Sequence, residues 1–211
     1  MCIIKKINYL ALICWFFTAC TWTEIVDTVT GGRLEGNQLK TLVIQPLGKF
    51  PESKSRWLAD TLTKIYRGPV KLNEKIPLPK ETYSTFRPRY RADLLLKYLG
   101  DRTSKGSVSI GITANEMSTT KGQHKDWRIF GLSTYFGKAC VVSTYKFYGP
   151  TSNDKLLKTT LHEMGHVYGI KHCPQQKCIM RDAKGKDILN QVNSFCEDCH
   201  QVMVNKGWEL Y

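Results

Sequence analysis

Apolar positions along the chain fall into short β-type runs separated by stretches with helical spacing. Thr41-Leu42-Val43-Ile44 is a β-rich run stopped by Gln45-Pro46-Leu47-Gly48, which predicts a strand followed by a turn. Trp57, Leu58, Leu62 and Ile65 share one face of a helix over residues 52–66, suited to pack on that strand. Val70 to Leu78, with Pro77 and Pro79 behind it, reads as a second strand or extended segment. Tyr90 to Leu99 reads as a helix with Leu94, Leu95, Tyr98 and Leu99 on one side and Gly100 closing it. Val108, Ile110 and Ile112 alternate through a third strand, Ser107–Thr113, and the polar stretch Asn115–Asp126 reads as a loop. Two further strands, Trp127–Tyr135 and Ala139–Phe147, are joined by a hairpin-like Phe136-Gly137-Lys138. Gly149-Pro150 breaks the chain, Thr151 to Asp154 offer capping side chains, and a helix is predicted over Lys155–Ile170 with Leu157, Leu161 and Met164 as its core stripe. No internal repeat interrupts this order. Strand, helix, strand, helix, strand, then a hairpin and a last helix predict an α/β fold with a mixed sheet.

The start of the chain has a different pattern. Lys5 and Lys6 precede an apolar run from Ile7 to Phe17 that is too short to span a bilayer comfortably, as in a signal peptide over residues 1–19. Phe17-Thr18-Ala19-Cys20 is similar to the lipobox of bacterial lipoproteins, which would place lipid on Cys20 and anchor the protein to a membrane of the bacterial cell envelope. An ordinary secretory signal and an uncleaved anchor are the alternatives. Residues 20–39, with Gly31-Gly32 and Gly36, then read as a tether, and residues 40–211 as one folded domain.

Composition changes this picture little: 42% hydrophobic and 23% charged is ordinary for a soluble domain. The charge is less ordinary, 31 Lys+Arg against 18 Asp+Glu, a net +13. The basic residues are scattered and no nucleic-acid motif accompanies them. They read as a solvated surface, with an anionic envelope the better specific partner and no specific nucleic acid expected. A monomer is expected.

The chemistry is concentrated in His162-Glu163-Met164-Gly165-His166-Val167-Tyr168-Gly169-Ile170-Lys171-His172. His162 and His166, at i and i+4, project from one face of a helix and can hold one zinc ion. Glu163 is not spaced to be a ligand with them, but it can stand beside the metal as a proton acceptor. Gly169 lets the chain leave the helix, and the turn after it can bring His172 round as a third nitrogen ligand. Three histidines leave a fourth zinc position open, the arrangement of a catalytic site. An amphipathic helix with incidental histidines is the bland alternative, and the added Gly and third His weigh against it.

Four cysteines follow: Cys173 and Cys178 as C-x4-C, Cys196 and Cys199 as C-x2-C. The spacing fits a closed four-cysteine structural zinc site, and disulfides are the alternative if the compartment is oxidising. Because Cys173 directly follows His172, fixing the cysteines would also fix the third histidine. His200 is a possible substitute ligand, His124 reads as an exposed loop residue, and Cys140 as a small buried apolar side chain.

The joined pattern, H-E-x-x-H-x-x-G-x-x-H-C-x4-C-x-M followed by C-x-x-C, resembles the archaemetzincin family of metzincin-clan zinc metallopeptidases. Gln45-Pro46-Leu47-Gly48, Gly111-Ile112-Thr113 and Val141-Val142-Ser143 are similar to the family's strands. The resemblance implies a metzincin-like catalytic domain: a small twisted mixed sheet with one antiparallel edge strand, backed by helices, and a zinc helix under the cleft. It implies two zinc ions per chain, the catalytic one on His162, His166 and His172 and the structural one on the four cysteines. Glu163 would be general base and acid, Met180 the Met-turn beneath the histidines, and a peptide or protein the substrate. The segment from Met180 to Cys196 is slightly short for the family, and a lipoprotein-like start is not part of its usual pattern. Peptide hydrolysis is therefore the leading expectation, with substrate held by strand addition along an edge strand within Trp127–Tyr135. The rival is a zinc-stabilised envelope binding protein with little or no hydrolysis. An amidase acting on non-protein amides is a weaker third.

Overall fold

The elements run β1 (Thr41–Leu47), α1 (Glu52–Ile65), β2 (Val70–Leu72), a short 3-10 turn (Lys80–Thr82), β3 (Tyr83–Ser84), β4 (Arg89–Arg91), α2 (Ala92–Arg102), β5 (Ser107–Thr113), β6 (Met117–Lys121), β7 (His124–Ile129), β8 (Gly131–Ser133), β9 (Ala139–Ser143), α3 (Ser152–Val167) and α4 (Glu197–Val204). The structure is a computed structural model and describes residues 39–210. The expected signal peptide, the lipid on Cys20 and nearly all of the tether lie outside the described residues.

The main sheet has the order β2-β1-β5-β9-β8. All its pairs are parallel except β8 with β9, so the antiparallel strand lies at the edge, as expected for this fold. Strand alternation sends two sets of side chains to opposite faces. Leu42, Ile44, Val108, Ile110, Ile112, Cys140 and Val142 pack with Leu58 and Leu62 of α1 and Leu156, Leu161 and Met164 of α3. Leu47, Ala139 and Val141 pack on the other face with Ala92, Leu95 and Leu99 of α2. Gly111 gives α2 room, since a Cβ there would strike the Leu99 side chain.

Several boundaries differ from the pattern-based expectation, each for a local reason. β1 runs through Pro46 to Leu47. The missing N–H of Pro46 faces the side that β2 has already left, while its carbonyl accepts from Ile76 N–H at 3.1 Å. α2 starts at Ala92, because Arg89–Arg91 pairs as β4 with β3 and β6, and it continues past Gly100 to Arg102. α3 starts at Ser152, its N-cap Thr151 makes no side-chain cap, and the Ser152 hydroxyl accepts from Lys54 Nζ.

The stretch Asn115–Asp126 is not a loop but carries β6 and the start of β7, an antiparallel pair in a second sheet of order β3-β4-β6-β7. Much of its outer half is polar and exposed, so no apolar alternation marks it. Arg89 with Glu116 at 3.3 Å and Asp126 at 3.7 Å supplies charge pairing where a core would otherwise be. The expected strand Trp127–Tyr135 divides at Phe130, where the chain crosses from this sheet to the main one. Its companion ends at Ser143, before a turn in which Lys146 takes φ 65°.

Candidate active site

The helix α3 ends in a way that decides the site. Gly169 has φ +88°, its N–H bonds to His166 O at 2.9 Å, and Ile170 N–H bonds to Gly165 O at 2.9 Å. This paired closure needs a residue without a Cβ at the left-handed position. The chain then reverses and sets His172 beside His162 and His166, with one ring nitrogen from each within 4.8 Å of the others. His162 Nδ1 lies 2.7 Å from Ile179 O, and His166 Nδ1 lies 2.7 Å from Ile170 O. A carbonyl only accepts, so each Nδ1 carries the ring proton and each Nε2 is left with a lone pair. Those two Nε2 atoms face each other at 3.1 Å. Two lone pairs at that distance repel unless a cation lies between them. Zinc at about 2.0–2.1 Å from tetrahedral nitrogens would set them roughly 3.3 Å apart, so the donor set fits zinc.

Burial first, and the neighbouring imidazoles after it, lowers the pKa of His166 and His172, and burial likewise lowers that of His162. All three are thereby kept neutral, the form that ligates. His166 is buried and His172 exposed, so the group opens to solvent on the His172 side.

Glu163 is buried between α3 and β8. Burial pushes its carboxyl up to about 7, while the Ser133 hydrogen bond and His166 pull the other way. Ser133 Oγ donates to Glu163 Oε2 at 2.6 Å. Two residues earlier on the same face of β8, Gly131 leaves space for the carboxyl: a Cβ there would stand 2.7 Å from Glu163 Cγ and Cδ. Neither Gly131 nor Ser133 is singled out by the sequence pattern. Nor are the carbonyls of Ile170 and Ile179, because a backbone acceptor has no residue signature.

Met180 is fully buried, its Sδ and Cε against Gly165. Its carbonyl accepts from Cys173 N–H at 2.8 Å and its N–H donates to Cys178 Sγ at 3.4 Å. The four cysteines form a second group, with all four sulfurs within 4.8 Å of one another. Cys173 and Cys196 Sγ lie 3.6 Å apart, and all four thiols are free. Zinc–sulfur bonds of about 2.3 Å would give roughly this separation, and no disulfide joins them. Burial raises Cys178 and Cys199. At Cys196 burial is outweighed by hydrogen bonds from Cys199 N–H and from the other thiols, which lower it. His200 stands apart, with Nε2 on Leu210 O at 2.6 Å. His124 is exposed and stacks on Trp127, and Cys140 is buried in β9.

The cleft of about 660 Å³ has α3 on one side and β8 with the end of the β6–β7 hairpin on another. Its remaining wall is the segment after Met180, from Arg181 to Val192. Lys155 pins that wall to α3 through Asp187 at 2.7 Å.

The sequence pattern of peptidase family M54 matches residues 58–205. An archaemetzincin of Haloquadratum walsbyi is 25% identical over 173 residues, 76% of this chain and 97% of the relative. One of Nanoarchaeum equitans is 28% identical over 163 residues, 77% and 89% of the two chains. Among solved structures, archaemetzincin from Archaeoglobus fulgidus, complexed with malonate, superposes with a TM-score of 0.67 at 25% identity, covering 77% of this chain and 99% of that one. Archaemetzincin from Methanopyrus kandleri shares the fold at a TM-score of 0.66 and 24% identity, covering 82% and 97%. These relatives correct the expected location. They come from archaea, whose cells have no bacterial envelope, so the reading as an envelope lipoprotein is overturned. Among the described residues no helix is long and apolar enough to cross a membrane.

Proposed function

Because the chain belongs to peptidase family M54, the archaemetzincins, and is thus a zinc metallopeptidase, we propose that His162, His166 and His172 hold its catalytic zinc and that Glu163 moves the proton in peptide-bond hydrolysis. Zinc, when bound, supplies Lewis acidity, polarising the scissile carbonyl and making water a nucleophile near neutral pH. Glu163 takes a proton from the attacking water and returns it to the leaving amine. With Oε2 held by Ser133, Oε1 is the oxygen left for that transfer. The Cys173, Cys178, Cys196 and Cys199 group holds a structural zinc and so fixes His172, its immediate neighbour in the chain.

Substrate lies along β8. The Phe130 carbonyl turns inward to Ser143 N–H at 2.7 Å. By alternation Gly131 and Ser133 present their backbone groups outward, where an extended peptide can add as a further strand.

The observation that carries this reading is the pair of unprotonated Nε2 atoms at 3.1 Å with a buried carboxyl next to them in the chain. A binding protein has no use for that carboxyl. Glu163→Gln tests the assignment: it should keep both metals and the fold while losing about 10²–10⁴-fold in turnover of a peptide library. Retained activity would refute it.

A further inference from the structure

One cationic side chain in the cleft has no part in the steps above. Lys121 ends β6, opposite His124 across the turn into β7. Its ammonium stands 5.6 Å from the centroid of the Trp127 ring, and the side chain lines the same cleft as the three histidines and Glu163. Among the described residues it has no carboxylate within ion-pair distance. Its charge is nonetheless felt at His172, whose pKa it helps to lower after burial and His162 have acted.

The other charges in the cleft are mostly spent. Arg128 pairs with Glu116, Arg181 bonds to Gln176 O and Gln191, and Asp187 is taken by Lys155. Asp182, on the wall after Met180, accepts from Lys184 N–H at 2.8 Å, and its carboxyl also feels the Lys121 ammonium without coming within ion-pair distance of it. Against Asp182 and the buried Glu163 stand the ammonium groups of Lys121, Lys184 and Lys186, none of them in an ion pair among the described residues, so the free charge of the cleft is positive.

The cleft also has an end. Trp127 packs against the Cα of Gly185, where a Cβ would lie 3.2 Å from the Trp127 Cη2 and closer still to Cζ2. Trp127 belongs to the hairpin that leads into β8, and Gly185 to the opposite wall, so the two walls meet at this contact. A peptide extended along β8 runs at that end into Trp127 and the ammonium of Lys121.

We propose that the cleft selects substrates that present a carboxylate to Lys121 at the end closed by Trp127 and Gly185. The carboxylate is the peptide's own C-terminus or an Asp or Glu side chain near the scissile bond. Both offer the same acceptor to an ammonium group that, among the described residues, has no carboxylate within ion-pair distance. The substrate class rests on the peptidase reading, but the contact is a binding contact and can be measured without turnover.

The test uses the full zinc-loaded chain and a set of otherwise identical peptides. Their C-termini are free or amidated, and Asp/Glu or Asn/Gln flank the cleavable bond. Binding to the Glu163→Gln protein is read by fluorescence anisotropy, and cleavage by the unaltered protein as kcat and KM. Peptides with the carboxylate should bind about two- to fivefold more tightly than neutral ones, the worth of one ion pair at an exposed site. Loss of the preference on amidation identifies the C-terminus, and loss on Asn/Gln replacement identifies the side chain. Lys121→Gln should abolish the preference by raising KM with kcat little changed, and Lys121→Glu should turn it toward peptides with Lys at that place. Equal binding of all peptides, or a preference that survives Lys121→Gln, overturns the proposal. If the unaltered protein cleaves no peptide, the peptidase reading fails, and the binding series still decides for or against Lys121.

Discussion

The hydroxyl of Ser133 donates to Glu163 Oε2 at 2.6 Å, so the edge strand and the histidine helix meet at the carboxyl that would move the proton. The bond orients one oxygen and leaves the other free. Ser133→Ala should therefore lower kcat by roughly 10- to 100-fold with KM little changed, the size of one hydrogen bond to a charged group. Ser133→Thr, which keeps the hydroxyl on a β-compatible side chain, should recover most of the loss. Steady-state kinetics on one peptide substrate separates the two, and an unchanged kcat in the alanine variant would remove Ser133 from the site.

Gly131 tests the same contact from the side of volume. A Cβ at this position would overlap the Glu163 carboxyl, which has no free space on that side. Gly131→Ala should displace the carboxyl and cost at least as much in kcat as Ser133→Ala, while zinc content stays the same. Metal analysis beside kinetics distinguishes this from loss of the metal.

Much of the fold and the metal-ligand pattern is legible in the sequence because both are written in side chains with fixed periods. The alternation Val108, Ile110, Ile112 marks β5 because those side chains fill the core on one face, while the other face carries the small residues Ser109, Gly111 and Thr113. The i, i+4 histidines and the Gly169 turn mark the ligand group because few other arrangements need those residues at those places. What escapes is what depends on backbone or on small residues. The β6–β7 hairpin has too few buried apolar positions to show a period, and it is held partly by the Arg89, Glu116 and Asp126 charges. The carbonyls that orient His162 and His166 could come from any residue type. Ser133 and Gly131 look like ordinary strand residues until the helix is laid against them.

Met180 packs against Gly165 of the helix that carries His162 and His166. A methyl at Gly165 would meet Met180 Sδ and stand 2.9 Å from its Cε, so the helix can approach only because position 165 is bare. Met180→Ala removes a fully buried side chain and should cost about 2–5 kcal/mol in denaturant unfolding. Met180→Leu, close in volume, should cost less than about 1.5 kcal/mol. The alanine variant should also hold zinc on the histidines more weakly, because Ile179, whose carbonyl orients His162, precedes Met180 directly. A side chain that only fills space would change stability and leave zinc affinity alone.

The two metal groups should part company on chelation. The histidine group has three nitrogen donors and opens to solvent at His172, whereas the cysteine group has four sulfurs and no vacant position. If each group holds a zinc ion, as proposed, a brief challenge with a strong chelator should remove the first ion, abolish hydrolysis and leave circular dichroism unchanged. Longer treatment, or Cys178→Ser, should remove the second. Cys178 Sγ accepts from the N–H groups of both Met180 and Cys196. Losing the thiolate therefore loosens the turn that carries His172 and the segment that orients His162. The Cys178→Ser protein should consequently hold less than one zinc per chain even when zinc is in excess, and its unfolding midpoint should fall by several degrees. If it instead kept one full zinc on the histidines and full activity, the cysteine group would be a separate structural unit with no part in holding the site together.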